Sequence, residues 1–403
     1  MPISAPTSDV MKYMPAFIGH IGSSLYKRRT PLDSVSLNVS PIKAAKGTVI
    51  DSLFIQEMTV TDVVPSETQP NYQQPEVINE RVTLDNWKNV KFKYDVDTMD
   101  RPILEGTFMD RSIFTATITM MDYITGGISN ALRLTPNLLI KTSTPITSYS
   151  DVVSLNRLIT SDAPSAFRAV FFGRDSEAAL FNETKIMGVG VNNSSSSSQS
   201  GEFTEILGYQ MIPYEDNNSI VTKTKNYISG DIAFTLPANL NAYQEYEVVA
   251  TVASANDTKS FHPGNVLIDQ SQADKDKTSC LTVHKVSVVS STTATITISV
   301  GAEFHSFTGG SVTCKMLNVM DDAFAYQKFG IGLASRPSSN VGLTRKSMHF
   351  DDQINQLAYG LTTFDGYYTN LLSLDFLYGV KILLHKHVAR AVKISSDNSG
   401  YVA

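Results

Sequence analysis

Residues 357–394 read LAYGLTTFDGYYTNLLSLDFLYGVKILLHKHVARAVKI, and this stretch says more about the fold than any other part of the chain. Apolar segments at 357–364, 371–384 and 388–394 predict three β-strands in close succession, and the dipeptide Asp365-Gly366 predicts a turn after the first. An apolar segment this close to a chain end indicates that the terminus is tied into a core sheet. The general alternative is a C-terminal β-hairpin on any α+β domain.

Several residues of this stretch follow one another in the same order as in a known protein family. They are Gly360, Asp365, Thr369, Asn370, Leu374, Asp375, Leu377, Tyr378, Gly379, Val380, Leu383 and Ala391. The string resembles the C-terminal end of the major capsid (coat) proteins of short-tailed, double-stranded DNA bacteriophages, the type whose capsid fold carries an extra β-domain. An upstream block, from Ala323-Phe324-Ala325 to Ala334-Ser335-Arg336-Pro337, is similar to the preceding segment of the same family. The rest of the chain matches only in layout.

The resemblance implies an α+β tailed-phage capsid fold with an inserted all-β domain. The expected parts are an N-terminal arm (1–46), an extended β-hairpin loop (47–98), a peripheral domain with a long spine helix (99–149), the first part of an axial domain (150–226), the inserted β-domain (227–319), closing strands of the axial and peripheral domains (320–394) and a C-terminal tail (395–403).

Composition describes a folded protein with an ample core, since 42% of the 403 residues are hydrophobic and 18% are charged. Cys280 and Cys314 stand in no pairing motif, which favours a reduced folding environment over a disulfide framework. No apolar run reaches the length of a transmembrane helix, and the N-terminus has no signal-peptide pattern.

Charge is distributed unevenly around a net value of −6. Residues 1–50 hold six basic and two acidic side chains, and residues 381–394 hold four basic side chains and no acid, so the remainder is strongly acidic. Basic termini on an acidic body suit a shell subunit whose arms face nucleic acid or an acidic partner. Ordinary surface variation is the alternative.

The first hundred residues predict an arm and a hairpin. Apolar spacing at 8–26 predicts a short amphipathic helix, interrupted at Pro15. Strand patterns at 47–64 and 81–96, the second containing the only tryptophan, Trp87, flank a proline-rich polar tip. Such a hairpin has little core of its own and needs a neighbouring subunit to stay ordered. In the resembling family this loop lies over the adjacent subunit.

Two helices are predicted next. Asp100-Arg101-Pro102 is a start signal, and apolar residues recur at helical spacing to residue 132. The threonines at 115–119 are poor helix formers, and Gly126-Gly127 is expected to break the helix. Periodicity alone is therefore also compatible with a strand at 112–121, whereas the spine helix of the resembling family favours a helix. Ser150-Asp151 is expected to cap a second helix.

The chain then becomes almost wholly β. A buried strand is predicted at 167–172, followed by a serine-rich surface loop at 192–201. Short strand patterns at 232–234, 246–252, 265–268, 281–289, 293–300 and 312–317, with turn signals between them, predict a small barrel or sandwich. Because the flanking segments are mixed in character, this block is expected to be inserted into another domain.

Motifs of catalysis are missing from the sequence: it has no HExxH, CxxC, P-loop or GxSxG, and its GxG pairs are isolated. His385-Lys386-His387 would bind a metal only with a third ligand from elsewhere, and the favoured interpretations are a surface position or a contact with an acidic partner. The adjacent acids Asp321-Asp322 and Asp351-Asp352 are interpreted as helix or turn caps. The prediction is a protein that is not an enzyme and holds no cofactor or metal.

The favoured hypothesis is a major capsid protein that assembles into pentamers and hexamers as an icosahedral shell of the virion, formed in the host cytoplasm. Expected partners are itself, a scaffolding protein, the portal, packaged double-stranded DNA bound without sequence preference, and a decoration protein; no membrane is expected. The alternatives are a nanocompartment shell of the same fold and a β-rich tail component or adhesin.

Lys27, Arg28 and Arg29 are the candidate interior contacts of such a shell. A basic triplet beside Pro31 suits contact with DNA phosphates or an acidic scaffold surface, because packaged DNA is held without base readout. The alternative is that these side chains pair with acids on a neighbouring subunit.

Overall fold

The structure is a computed structural model that describes residues 31–40, 42–55, 77–95, 102–159, 168–182, 205–206, 208–213, 227–255, 257–270, 280–302, 310–338, 346–352, 357–365 and 369–395. Within these ranges the helices are α1 (Pro102–Leu132), α2 (Tyr149–Leu158) and α3 (Arg174–Phe181). None of them is long and apolar enough to cross a membrane. The amphipathic helix expected at 8–26 and the serine-rich loop at 192–201 lie outside the described residues.

Strands up to residue 213 are β1 (Ser36–Val39), β2 (Val49–Ile55), β3 (Val77–Thr83), β4 (Asn86–Asp95), β5 (Leu138–Lys141), β6 (Arg168–Phe172), β7 (Glu205–Ile206) and β8 (Tyr209–Pro213). The next strands are β9 (Ile232–Leu236), β10 (Glu245–Val252), β11 (Val266–Asp269), β12 (Cys280–Val288), β13 (Thr293–Val300) and β14 (Gly310–Met316). The last strands are β15 (Val319–Gln327), β16 (Ile331–Arg336), β17 (Lys346–Asp352), β18 (Leu357–Asp365), β19 (Thr369–Ile382) and β20 (Val388–Ile394).

The first sheet is built around β19. Its order is β1-β16-β19-β18-β17, and β4 also pairs with β19, antiparallel along Thr369–Tyr378. The predicted strands at 357–364 and 371–384 are found as the antiparallel neighbours β18 and β19. Leu374, Phe376 and Tyr378 of β19 are buried in a core that they share with the α1 residues Met120, Met121, Ile124 and Ile128. Helix α1 therefore packs on one face of this sheet.

The third C-terminal strand belongs to a different sheet, so only β18 and β19 of the three form a hairpin. β20 lies between β5 and β15 in the order β5-β20-β15-β6-β8-β7. Both faces of β20 are covered. Ala389 and Ala391 pack in the cluster that includes α2, whereas Val392 and Ile394 pack against strands near residues 266–280. The alternating residues of β20 therefore lie on two faces of the strand, and both faces are buried.

The strand predicted at 81–96 is split in two. In the described part of the chain β3 pairs with β2 alone, in an antiparallel two-stranded sheet, and β4 joins the first sheet instead. The chain turns between them because Leu84 is fully buried at the base of the hairpin, where its carbonyl accepts from the N–H of Gly47. A Cβ on Gly379 of β19 would lie 2.0 Å from the carbonyl oxygen of Thr83, so the hairpin base approaches β19 backbone to backbone.

Helix α1 runs without a break through the threonines and through Gly126-Gly127, so the expected break is wrong. Thr119 donates its hydroxyl to the carbonyl of Thr115 at 2.8 Å, which satisfies this polar group within the helix. Gly127 lies against the ring of Tyr378, and its built Cβ would stand 3.3 Å from that ring. The glycine therefore lets β19 approach the helix closely, and tertiary packing overrides the local cost.

Helix α2 begins two residues earlier than expected. Its N-cap is Ser148, and Asp151 occupies the third helical position and accepts from the N–H of Ser148 at 3.1 Å. Ser150 is therefore inside the helix. Asp151 also pairs with Lys141 at 2.7 Å, which joins the start of the helix to β5.

Strands β9–β14 close into a barrel of order β10-β13-β12-β11-β14-β9, in which every pairing is antiparallel. The barrel alternative is thus the observed one and the sandwich is wrong. Alternate residues of β9 and β10 point to the buried interior, as the period of two requires. Cys280 and Cys314 are buried thiols, not joined in a disulfide, on the two strands that flank β11.

Candidate functional site

Three charged side chains are buried together where the end of α1, the sheet that contains β15 and β20, and the barrel meet. Asp322 on β15 accepts from Nε of Arg133 at 2.8 Å and from Nη2 of Arg390 at 3.1 Å. The exposed fractions of these side chains are only 2%, 1% and 0% respectively. Because burying a charge is costly unless it is paired and hydrogen-bonded, the three side chains hold one another in place.

Arg390 extends this cluster to the barrel. Its Nη1 donates to the carbonyl of Arg133 at 3.0 Å and to the carbonyl of Gly264, just before β11, at 2.8 Å. Thr282 of β12 adds a second link, because its hydroxyl donates to the carbonyl of Thr135 at 3.2 Å. The end of α1, strands β15 and β20, and the barrel are therefore connected through one guanidinium.

Asp321 and Asp322 were interpreted as caps, and that interpretation is wrong, because both lie in strand β15. Burial by itself would raise the pKa of Asp322, but the charges of Arg133 and Arg390 outweigh it and hold that pKa below the ordinary value. Asp321 faces the other way. Burial, followed by repulsion from Asp322, raises the pKa of Asp321 to about 6. Asp351 and Asp352 end strand β17, where they pair with Ala358 and Leu357.

A cavity of about 680 Å³ is lined in part by Asn130, whose side chain accepts from Nη1 of Arg133 at 2.9 Å. Its walls come from α1, from the barrel and from the end of β19. Gly126 and Gly127 form part of the helix wall, and a Cβ built on Gly126 meets no atom within 4 Å. The glycine pair expected to break the helix instead leaves room in this space. The polar residues of the lining are Asn86, Tyr123, Asn130, Glu245, His284, Lys381 and His385.

Two histidines meet across the cavity. The ring of His284 on β12 lies edge-on to the ring of His385, with centroids 5.8 Å apart, and Tyr243 stacks on His385 at 6.3 Å. Nε2 of His284 is 2.6 Å from the hydroxyl of Ser299, and Nδ1 is 3.4 Å from a carboxylate oxygen of Glu245. Burial lowers the pKa of each histidine to about 4, with repulsion between the two rings as a further cause at His385.

The surface interpretation of His385-Lys386-His387 is therefore wrong. These residues form a 3₁₀ turn between β19 and β20, where His385 is half-buried against the barrel and His387 is only 6% exposed. Among the described residues, no group of three or more His, Cys, Asp or Glu side chains is placed to hold a metal ion.

No protein-family model matches the chain, and no curated protein is similar to it. Solved structures do resemble it. The head structure of Helicobacter pylori bacteriophage KHP40 is 10% identical, with a TM-score of 0.46 and coverage of 90% of this chain and 91% of that chain. The capsid of cyanophage P-SCSP1u is 9% identical, with a TM-score of 0.45 and coverage of 92% and 90%. A virus-like particle from Pyrococcus furiosus is 7% identical, with a TM-score of 0.42 and coverage of 94% and 99%.

The string residues have clear positions. Gly379 lies at the hairpin base, Leu374 and Tyr378 are buried under α1, and Leu377 and Leu383 pack with Val82 and Leu84.

Lys27, Arg28 and Arg29 lie outside the described residues. The sequence-based interpretation missed Arg133, Arg390 and His284. One signal was present. Arg390 and Asp322 each stand inside runs of apolar residues, VARAVKI and VMDDAFAYQ, where a charge on a buried strand requires a buried partner. The partner itself, at the end of a helix far away in sequence, had no local signature.

Proposed function

We propose that this chain is the major capsid protein of a tailed double-stranded DNA phage, a structural subunit that assembles into the pentamers and hexamers of an icosahedral shell. The observation that carries the proposal is the position of the C-terminal string. Its glycine Gly379 is the point where the hairpin of β2 and β3 meets the first sheet. The string therefore specifies how this hairpin is attached to the sheet.

The hairpin itself supports assembly. Within the described residues, β2 and β3 form a sheet only with each other. Asp51 and Arg81 pair across it at 3.3 Å, but their side chains are 54% and 70% exposed, so this pair contributes little stability. A two-stranded hairpin is marginal in water, and we infer that a neighbouring subunit covers it.

The buried charges support a structural role. Arg133 and Arg390 both donate hydrogen bonds to Asp322 at the junction of three elements, and Arg390 also donates to the barrel. Such a cluster fixes relative positions within a subunit, as a shell needs when each contact between subunits is repeated many times. We propose that the domain boundaries follow the layout given by the resemblance, with the barrel as the inserted domain between the two parts of the axial domain.

Assembly of the purified full chain tests the proposal. Electron micrographs and sedimentation are taken of the protein alone and with the co-expressed scaffolding protein. Rings or closed shells are expected. A compact monomer at high concentration with the scaffold present would reject the proposal, and fibres or trimers would favour a tail component or adhesin. Shells that enclose a cargo protein and no nucleic acid would favour a nanocompartment.

We also propose that Lys27, Arg28 and Arg29 face the interior and contact DNA or scaffold. The variant with all three replaced by serine is compared with a control in which the exposed Lys43, Lys259 and Lys285 are replaced. The triplet variant is expected to form normal shells that retain scaffold or DNA more weakly and with a smaller salt dependence. Failure of the protein alone to assemble would assign these residues to contacts between subunits instead.

A further inference from the structure

The barrel contacts the rest of the subunit along two edges with different chemistry. At the first edge Arg390 donates to the carbonyl of Gly264 while Asp322 holds the guanidinium. Arginine stays charged at all ordinary pH values, and the two arginines keep Asp322 ionised into acid. This edge is therefore insensitive to mild acid.

The second edge is made by neutral histidines. His284 comes from the barrel and His385 from the turn that follows β19, and their rings touch edge to face. Nδ1 of His385 is buried with no hydrogen-bond partner in the described part of the chain, so a proton added there would find no acceptor. The side chain of His284 is 6% exposed.

The charged groups around the pair do not neutralise an added charge. Glu245 of β10 lies near His284, but its side chain is 57% exposed and therefore screened by water. Glu80 of β3 is paired with Lys381 of β19 at 2.9 Å, so the two largely cancel. The residues that α1 adds to the cavity lining, Tyr123 among them, include no carboxylate.

We propose that the contact between His284 and His385 is an acid-sensitive attachment of the barrel: it is closed while both rings are neutral, and protonation of the rings opens this edge while the Arg390 edge holds. The cavity beside the histidines gives the charged rings a path to water, since its lining includes both of them. The opening is local, because the guanidinium links at residues 264 and 133 remain.

The direction and size of the pH effect on opening follow from proton linkage. Because burial lowers the pKa of each ring from 6.5 to about 4, the closed form binds fewer protons than the open form. The closed form is therefore fully favoured above pH 6.5 and loses its advantage as the pH falls from 6.5 to 4. Between pH 7.5 and pH 5 the opening equilibrium rises about 30-fold for each histidine.

Hydrogen–deuterium exchange of the full chain tests the proposal, with rates corrected for the intrinsic effect of pH. Segments at the histidine edge, 243–247 and 382–388, are compared at pH 7.5 and pH 5 with β11 at the arginine edge. About 30-fold faster exchange or more is expected at the histidine edge, with little change in β11. Equal loss of protection at both edges, or no change at either, would overturn the proposal.

Variants separate titration of this pair from titration elsewhere. H284Q and H385Q are expected to lose the pH dependence at the histidine edge, singly in part and together almost fully. The matched control is H262Q, a barrel histidine whose Nδ1 lies 3.0 Å from the Ser260 carbonyl, and it should behave as wild type. A double variant with the wild-type pH dependence would refute the proposal. If that variant fails to fold, the comparison of the two edges in the wild type decides.

Discussion

Replacing Asp322 with asparagine removes the carboxylate that faces both Arg133 and Arg390 while nearly preserving its shape. The two guanidiniums would then be buried with 1% and 0% of their side-chain surface exposed and no carboxylate beside them. The asparagine amide offers one acceptor oxygen in place of two charged ones. One hydrogen bond to each arginine is lost or weakened, and the Coulombic attraction to both disappears.

The expected loss of folding free energy follows from these contacts. A hydrogen bond to a charged group contributes about 1.5–3 kcal/mol, and breaking a buried ion pair by removing one partner costs about 3–5 kcal/mol. We expect D322N to lose roughly 3–5 kcal/mol, a large fraction of the roughly 5–15 kcal/mol that stabilises a folded protein. For a chain of this size the unfolding temperature should fall by roughly 4–6 °C, at about 2.1 cal/mol/K of unfolding entropy per residue.

The assay is differential scanning fluorimetry of the purified full chain at pH 7.5, with D321N as the matched control. Asp321 is the neighbouring residue on the same strand and undergoes the same chemical change, but it lies outside the arginine cluster. D322N should melt well below the wild type and D321N should not. A change in melting temperature that is equal for the two variants would refute the reasoning that the buried charges stabilise the junction.

The remaining predictions concern acid, backbone approach and the helix wall. D321N should stabilise the protein by roughly 1–3 kcal/mol at pH 7.5 and should have no effect below pH 4. The reason is that Asp321, with a pKa of about 6 in the folded protein, is ionised unfavourably above that pH. Melting temperatures measured across pH 4–8 check this prediction. G379A should destabilise by about 3 kcal/mol or abolish folding, because its Cβ would meet the Thr83 carbonyl at 2.0 Å, and proteolysis at the hairpin base is the measurement. G126A should stabilise α1 by about 1 kcal/mol because its Cβ meets open space, whereas G127A should gain less because its Cβ meets a tyrosine ring at 3.3 Å, and a higher melting temperature for G127A would contradict this.

Local pattern predicted helices α1 and α2 and many of the strands, but not α3, β1 or β5. Alternation and turn signals located the strands of the barrel, and the apolar runs at 357–394 located the last three strands, because the period of two is a property of each segment alone. Helical spacing after Pro102 located α1. Because of the threonines a strand at 112–121 was equally compatible with the sequence, and the resemblance favoured the helix.

Only the tertiary structure decided which strands pair and which polar groups meet. β19 and β20 are neighbours in sequence but lie in different sheets, and the segment at 81–96 divides between a hairpin and the first sheet. The meeting of Asp322 with Arg133, and of His284 with His385, joins residues that are far apart in the chain. The physical reason is that periodicity depends on each segment's own backbone, whereas pairing, burial and shifted pKa values depend on what the completed core places beside each side chain.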